Sequence, residues 1–196
     1  MSRTESSHHG RRVVLAMNMT VDGFVAGPSG ELDWLWPTMD PAMSGDVLGF
    51  LQGVDTVLIG HETYLEQAAQ WPTMSGPMAD LLNSHTKIVF SSRLEELDWA
   101  NSRLAKDDVT GEVASLKSQP GRDIFLTGGV ALAQSMARAG LIDEYRINIH
   151  PTILGSGQRL FADVPGQRRS LHLAQTKVYE SGAILNHYRL DGTDDT

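Results

Sequence analysis

The chain has 196 residues, of which 41% are apolar and 20% charged, and its 16 basic and 24 acidic side chains give a net charge of −8. This composition is typical of a globular protein that is long enough to bury a full core, and it excludes a disordered chain. An acidic surface repels phosphate backbones and disfavours nucleic-acid partners, and the absence of cysteine excludes disulfides, thiolate metal sites and a cysteine nucleophile.

The two ends of the chain are polar, and no segment is long enough to cross a membrane. The longest apolar run, Val13–Met17, is far shorter than the ~20 residues that a transmembrane helix needs. No secretory hydrophobic segment precedes it, so we expect a cytoplasmic protein without a membrane partner. Residues 1–10 lack an apolar period and are predicted to be a disordered leader, and residues 192–196 a tail. Residues 11–191 contain no repeat or linker and are predicted to form a single domain.

Short apolar runs alternate with helical patterns as far as Leu141. Four runs in which nearly every position is apolar predict buried strands at Val13–Met19, Val54–Ile59, Lys87–Phe90 and Asp123–Leu126. The spacing predicts helices over about Pro41–Gln52, about Thr63–Ala69, Pro77–His85, Thr110–Lys117, and from Val130 to a stop at Gly140. This alternation predicts an α/β fold with parallel strands, right-handed crossovers and helices on both faces of the sheet.

After Leu141 the sequence predicts only strands, with no helices between them. They are predicted at Glu144–His150, Ser170–Tyr179 and Ala183–Leu190. Ser181 and Gly182 have the composition of a hairpin turn between the last two. We therefore expect a mainly parallel sheet that is completed by antiparallel strands.

Three predicted strand ends carry residues suited to phosphate binding. Leu58–Tyr64 contains Gly60, where backbone can approach a ligand, and Thr63, which can cap a helix or offer its hydroxyl to an anion. Phe90–Arg93 supplies two hydroxyls and a guanidinium, and Phe125–Ala131 places a glycine pair before a helix. Each segment alone is more often a plain turn or a cap than a binding site. Since ligands of open α/β sheets bind at the carboxyl ends of strands, the three together predict a phosphate-bearing ligand.

The order and spacing of six segments resemble the dihydrofolate reductase-like superfamily. They are Thr20–Gly27, Leu58–Tyr64, Phe90–Arg93, Leu126–Gly129, Gly140–Tyr145 and Pro151–Phe161. The chain is most similar to bacterial stand-alone relatives of the reductase domain of the riboflavin-biosynthesis deaminase/reductase, from about Arg12 to Leu190. The resemblance implies a three-layer α/β/α fold with a mainly parallel mixed sheet ending in antiparallel strands, and often a homodimer.

The resemblance also implies that the cofactor is NADPH. Gly60, Thr63, Gly128 and Gly129 would hold the pyrophosphate, with Val130 and Ala131 opening the helix there. Ser91, Ser92 and Arg93 would take the adenosine 2′-phosphate, and Asn18, Val25 and Ala26 would line the nicotinamide. His61 stands where the family usually has arginine, and a neutral imidazole would neutralise a phosphate less completely.

The implied reaction is hydride transfer from NADPH to a small planar nitrogen heterocycle, or to a related C=N or C=O group. Reduction of the riboflavin-pathway type, as by a 5-amino-6-(5-phosphoribosylamino)uracil reductase, is the first expectation. Two departures weaken it: Thr127 replaces an acidic residue, and no Asp-Asn-Pro-like element follows Tyr64. Dihydrofolate reduction is an alternative, and so is non-catalytic binding of NADPH, a flavin or a pterin.

Three carboxylates are candidates for the substrate-gripping acid that dihydrofolate reductases carry after their first loop. Asp33 ranks first because Trp34 and Trp36 beside it could wall a flat heterocycle. Asp40 ranks second and Asp46 third. The alternative is that Asp40 merely caps the following helix and that the tryptophans belong to the core or to an interface.

Other chemistries have weaker signals in the sequence. The histidines at positions 85, 150, 172 and 187 are scattered, so we expect no metal site. No Gly-x-Ser-x-Gly segment is present to support hydrolysis by a catalytic triad.

Overall fold

A computed structural model describes residues 10–162 and 168–190. The predicted leader, except Gly10, and the predicted tail lie outside these residues. The strands are β1 (Val13–Thr20), β2 (Phe24–Ala26), β3 (Val54–Gly60), β4 (Thr86–Phe90), β5 (Ser102–Leu104), β6 (Asp123–Thr127), β7 (Glu144–His150), β8 (Gln158–Arg159), β9 (Leu171–Val178) and β10 (Ile184–Leu190). The α-helices are α1 (Pro41–Gln52), α2 (His61–Gln70), α3 (Pro77–Ser84), α4 (Val109–Lys117) and α5 (Val130–Ala139), with 3-10 turns at Trp36–Thr38 and Trp71–Thr73.

An eight-stranded sheet runs through the molecule in the order β5-β4-β3-β6-β1-β7-β10-β9. Neighbours from β5 to β7 are parallel, whereas β10 is antiparallel to both β7 and β9. The predicted mainly parallel sheet with antiparallel strands at its end is therefore confirmed. β2 and β8 pair separately as a two-stranded sheet.

Helices cover both faces of the large sheet, as predicted. Side chains of α4 and α5 pack with Leu15, Leu58 and Leu126 on one face. Side chains of α1, α2 and α3 pack with Val57 and Ile59 on the other. This is a three-layer α/β/α arrangement that brings the carboxyl ends of the parallel strands to one edge. No helix in the described ranges is long and apolar enough to span a bilayer.

Element bounds differ from the predicted ones by one or two residues, and three short strands were not predicted. β2, β5 and β8 have two or three residues each, too few to show a period-2 pattern. The prediction that Thr63 caps its helix is wrong: the N-cap is Gly60, so Thr63 lies within the first turn of α2. This places the Thr63 side chain over the glycine pair rather than at the helix start.

Candidate functional site

A cleft of about 1120 Å³ opens at the carboxyl ends of the parallel strands. It is lined by residues from all three strand ends that the sequence singled out. Of the predicted cofactor-binding residues it contains Asn18, Val25, Ala26, Gly60, His61, Thr63, Arg93, Gly128, Gly129, Val130 and Ala131. Ser91 and Ser92 are not among its lining residues. One cleft thus brings together most of the residues that were expected to act together.

The glycine turns at the ends of β3 and β6 lie against each other. A Cβ atom on Gly129, whose φ is +80°, would come within 3.4 Å of the Gly60 Cα atom. A Cβ atom on Gly128, whose φ is +43°, would come within 2.4 Å of the Thr63 Cγ2 atom. Since α2 begins directly after Gly60 and α5 directly after Gly129, two helix N-termini face one glycine-lined space. Backbone N–H groups in this setting favour an anion.

His61, Glu62 and Arg93 line the cleft next to this glycine-lined space, and Ser91 is hydrogen-bonded to His61. The His61 Nδ1 atom lies 2.7 Å from the Ser91 hydroxyl oxygen, which also accepts hydrogen bonds from the backbone N–H groups of Arg93 and Leu94. Ser91 therefore holds the loop after β4 rather than facing the cleft. The Arg93 guanidinium donates to the Glu62 carboxylate at 2.6 Å, and both side chains are largely exposed.

A hydrogen-bonded group of polar side chains orients Asn18 in the cleft wall. His150 is fully buried, with its Nε2 atom 3.1 Å from the Asn18 Oδ1 atom and its Nδ1 atom 2.7 Å from the Thr38 hydroxyl oxygen. Burial lowers the pKa of His150, which favours the neutral ring. The Asn148 Nδ2 atom donates to the same Asn18 oxygen at 3.1 Å. The Asn18 oxygen is thereby occupied, so its N–H groups are the part available to a ligand.

A second polar group closes the other end of the cleft. The Asp46 carboxylate, on α1, accepts hydrogen bonds from Lys177 at 2.5 Å and from the Tyr179 hydroxyl at 2.8 Å. The Lys177 bond is the main cause that holds the pKa of Asp46 below its usual range, so Asp46 is ionised at neutral pH. Burial raises the pKa of Tyr179, which keeps the phenol protonated. Arg146 of β7 lies beside this group, with its guanidinium carbon 5.1 Å from the centroid of the Phe50 ring.

The structure does not bring Asp33 or Asp40 into the cleft, contrary to their ranking from sequence. Asp33 is exposed and does not line the cleft. Asp40 is the N-cap of α1, where its carboxylate accepts a hydrogen bond from the Met43 N–H at 2.8 Å. This is the capping role that the sequence left open as its alternative.

The two tryptophans have different surroundings. Trp34 is buried, donates its indole N–H to the Glu31 carbonyl oxygen at 3.2 Å and packs edge-on against His150, with ring centroids 5.5 Å apart. Trp36 lines the cleft and is 66% exposed. Only Trp36 of the pair therefore faces the cleft.

Arg146 and Asn148 were not predicted as cleft residues, although the sequence of β7 carried a signal for them. Its sequence alternates polar and apolar residues, with Glu144, Arg146, Asn148 and His150 on one face. A central strand covered on both faces is normally apolar throughout, so polar residues at every second position indicate a cleft wall. Lys177 and Tyr179 had no such signal, because they reach Asp46 only through the pairing of β9 with β10.

The described ranges, 10–162 and 168–190, contain no group of three or more histidine, aspartate or glutamate side chains placed to hold a metal ion. The polar side chains of the cleft instead form two hydrogen-bonded groups, one around Asn18 and one around Asp46.

Comparisons with known proteins show which family the chain resembles. The model of the RibD C-terminal domain family matches residues 11–185. The uncharacterized protein YyaP of Bacillus subtilis (strain 168) is 36% identical over 187 residues, which is 93% of this chain and 96% of that protein. A putative riboflavin biosynthesis protein from Shewanella sp. PV-4 superposes with a TM-score of 0.75 at 23% identity, covering 91% of this chain and 98% of that one.

The fold is also that of dihydrofolate reductases. The Enterococcus faecalis dihydrofolate reductase, solved in a complex with NADP(H), superposes with a TM-score of 0.62 at 14% identity over 92% of this chain and 96% of its own. The resemblance read from the sequence is therefore confirmed at the level of fold and family.

Proposed function

Because the chain belongs to the RibD C-terminal domain family, we propose that it is an NADPH-dependent reductase that transfers hydride to a small planar nitrogen heterocycle or a related C=N or C=O group. The main support is that the ends of β1, β3 and β6 and the loop after β4 line one cleft. The family match supports a reductase of the riboflavin-pathway type, and the dihydrofolate reductase relative with NADP(H) supports the choice of cofactor.

The residues present fit NADPH at its phosphates. The two helix N-termini behind Gly60 and Gly129 would hold the pyrophosphate, and Arg93 would meet the 2′-phosphate. Because Gly128 and Gly129 carry no side chains, Thr63 and Gly60 pack directly against them, which brings the two turns together at one side of the cleft. Asn18, Val25 and Ala26 would border the nicotinamide, which supplies the hydride when the cofactor is bound.

At the substrate end, the chain's own residues would orient the acceptor and exclude water. Asp46, which stays ionised, would accept a hydrogen bond from a substrate N–H group and would not serve as a proton donor. The Asn18 amide, held by His150 and Asn148, would donate to a carbonyl oxygen of the substrate or of the nicotinamide. Trp36 and Phe50 would cover the ring faces. Such positioning is most of what hydride transfer requires from a protein.

Turnover of a substrate panel tests the reductase function. We expect NADPH oxidation, followed by the loss of its absorbance, with a 5-amino-6-(5-phosphoribosylamino)uracil-type substrate or, as the second choice, with dihydrofolate. The panel should be run with wild type and with Asp46→Asn, which keeps the side-chain size but removes the charge. Tight NADPH binding without turnover of any member would contradict the enzyme and leave the binding function.

A non-catalytic NADPH- or flavin/pterin-binding protein is the second candidate. It is favoured by the state of Asp46, whose bonds to Lys177 and Tyr179 keep it from acting as an acid. A purified protein that is yellow from bound flavin would support this candidate directly.

We further propose a cytoplasmic homodimer. β9 is an edge strand of the large sheet with mostly exposed side chains, including Leu171, Leu173 and Val178. An edge strand of this length with exposed apolar side chains is suited to pairing with a second copy. Light scattering should give twice the chain mass, and Leu173→Lys should reduce it to the monomer mass. A wild-type monomer at micromolar concentration would refute this assembly.

A further inference from the structure

The Asp46 carboxylate has one bonded and one open oxygen atom. The Lys177 ammonium donates to its Oδ2 atom at 2.5 Å, and the Tyr179 hydroxyl donates to the same atom at 2.8 Å. Lys177 lies in β9 and Tyr179 directly after it, two positions apart, so both side chains leave the chain on the same face. Among residues 10–162 and 168–190, none donates a hydrogen bond to the Asp46 Oδ1 atom, which is therefore the oxygen available to a ligand.

Lys177 acts on the cleft from outside it. Asp46 and Tyr179 line the cleft, whereas Lys177 is not a lining residue and its side chain is 39% exposed. β9 is the edge strand of the large sheet, and lysines on edge strands commonly extend into water, where they prevent edge-to-edge pairing. The Lys177 ammonium is instead bonded to a carboxylate on α1, so a residue of the edge strand sets the charge that a cleft residue presents.

The negative charge of Asp46 is matched before any ligand binds. The hydrogen bond from Lys177 is the main cause that holds the pKa of Asp46 low, and the charge of the nearby Arg146, which lines the cleft, adds to it. Glu144 of β7 is bonded to other basic side chains, and Asp40 caps α1 outside the cleft. A positively charged ligand beside Asp46 would therefore be repelled by two cations, whereas a neutral N–H group could still bond to the Oδ1 atom.

We propose, building on the placement of the substrate ring in the reductase function above, that Lys177 is a positioning residue that sets the specificity of this end of the cleft by excluding protonated rings. A carboxylate without such a partner would form a charge-assisted bond with a cationic ring, such as a protonated aminopyrimidine. With Lys177 bonded to its Oδ2 atom, Asp46 accepts a hydrogen bond from a neutral ring through Oδ1 and gains no further ion pair. The cleft thus selects between rings of the same size by their charge.

Titration with 2,4-diaminopyrimidine and uracil tests this assignment. The two rings are alike in size, and only diaminopyrimidine becomes a cation as the pH falls from mildly alkaline to mildly acidic. Both are titrated into the cofactor-free protein at constant ionic strength, with binding followed by amide chemical shifts. We expect wild type to prefer uracil and to bind diaminopyrimidine no more tightly as that ring becomes protonated. Wild-type protein that binds the protonated ring as tightly as uracil, or that binds neither ring, would overturn the proposal.

Removal of the Lys177 charge should reverse this pH dependence. Lys177→Met should bind protonated diaminopyrimidine about five-fold more tightly than wild type, because the Asp46 charge is then unmatched, and uracil within two-fold of wild type. Lys177→Arg keeps the charge and should exclude the cation as wild type does. Lys117→Met is the matched control, because Lys117 also pairs with an aspartate, Asp143, at 2.6 Å but outside the cleft. Wild-type affinity of Lys177→Met for the protonated ring would refute the assignment.

A double variant shows whether Lys177 acts through Asp46. Asp46→Asn in the Lys177→Met background should abolish the gained affinity for the cation, and a gain that persists would assign the effect to another group. Lys177→Gln also removes the charge and provides the same test if the methionine variant does not fold.

NADPH titration of the same proteins separates this proposal from the proposed function. Lys177→Met should bind NADPH within two-fold of wild type, because Lys177 lies outside the cleft and the turns proposed to hold the phosphates follow β3 and β6. A change in NADPH affinity as large as that for diaminopyrimidine would overturn the role at the ring. Failure of wild type to bind NADPH, with the selection by charge retained, would refute the reductase function and leave the role of Lys177 standing.

Discussion

Replacement of Arg93 by alanine should discriminate between NADPH and NADH. The Arg93 side chain is 65% exposed and its bonded partner in the structure is Glu62, itself 72% exposed. A charge-assisted bond to a phosphate contributes ~1.5–3 kcal/mol. Giving up an exposed ion pair costs up to ~1 kcal/mol, which offsets part of this gain. The net of about 0.5–3 kcal/mol predicts that Arg93→Ala weakens NADPH roughly 2- to 150-fold.

Glu62 provides a prediction of opposite sign for the same contact. Glu62→Gln removes the negative charge beside the 2′-phosphate and leaves only a neutral amide oxygen to compete for Arg93, so NADPH should bind up to about five-fold more tightly. NADH lacks this phosphate and should change less than two-fold in either variant.

The assay is a fluorescence titration of both cofactors at fixed ionic strength, with Arg122→Ala as the control for loss of an exposed arginine. Arg122 precedes β6 at the amino end of the strand, away from the cleft. An equal loss of NADPH and NADH in Arg93→Ala would refute its role at the 2′-phosphate. Weaker NADPH binding in Glu62→Gln would refute the competition between Glu62 and the phosphate.

Three further predictions concern the packing and the charges around the cleft. Gly128→Ala should lower the free energy of unfolding, measured in denaturant, by about 1–3 kcal/mol, because φ is +43° and the new Cβ atom would lie 2.4 Å from Thr63. The control is Gly60→Ala, whose Cβ atom would lie 3.7 Å from its nearest neighbours and which should unfold like wild type. Burial lowers the pKa of Lys87 from 10.5 to about 8, so between these values only the unfolded chain stays protonated. At about 1.4 kcal/mol per pKa unit, the free energy of unfolding of wild type relative to Lys87→Met should rise with pH by about 3 kcal/mol across that window. A pH-independent difference would contradict this. His150→Leu should lower kcat/KM about ten-fold, because the Asn18 amide loses the hydrogen bond that orients it. In His150→Gln the new amide can donate to Asn18, so part of the lost kcat/KM should return. Equal kcat/KM in the two variants would argue for a packing role alone.

The fold was predictable because its main elements are long and strongly patterned. β1, β3 and β6 are nearly continuous apolar runs, and α5 ends at Gly140, whose φ of +72° only glycine adopts readily. Short strands such as Ser102–Leu104 could not be predicted, because they show no periodic pattern of their own and form only by pairing with a neighbouring strand, here β4. The capping role predicted for Thr63 was wrong because α2 starts at His61, directly after its N-cap Gly60, so Thr63 is the third residue of the helix.

The two ends of the candidate site differed in how far the sequence could describe them. The end proposed to hold the phosphates is built from local turns, in which Gly60, Gly128 and Gly129 are recognisable by residue type and by their place after a strand. The end proposed to hold the substrate is assembled from α1, β7 and the segment after β9, so no local pattern joins Asp46 to Tyr179. Asp33 ranked first only because of its neighbours in sequence, and sequence proximity does not determine which carboxylate faces a cleft.

A crystal structure of the protein grown with NADPH tests the central claim most directly. We expect the pyrophosphate between the N-termini of α2 and α5, beside Gly60 and Gly129, with the nicotinamide bordered by Asn18. Absence of the cofactor at saturating concentration, or its binding outside this cleft, would contradict the convergence of the three strand ends on one NADPH site.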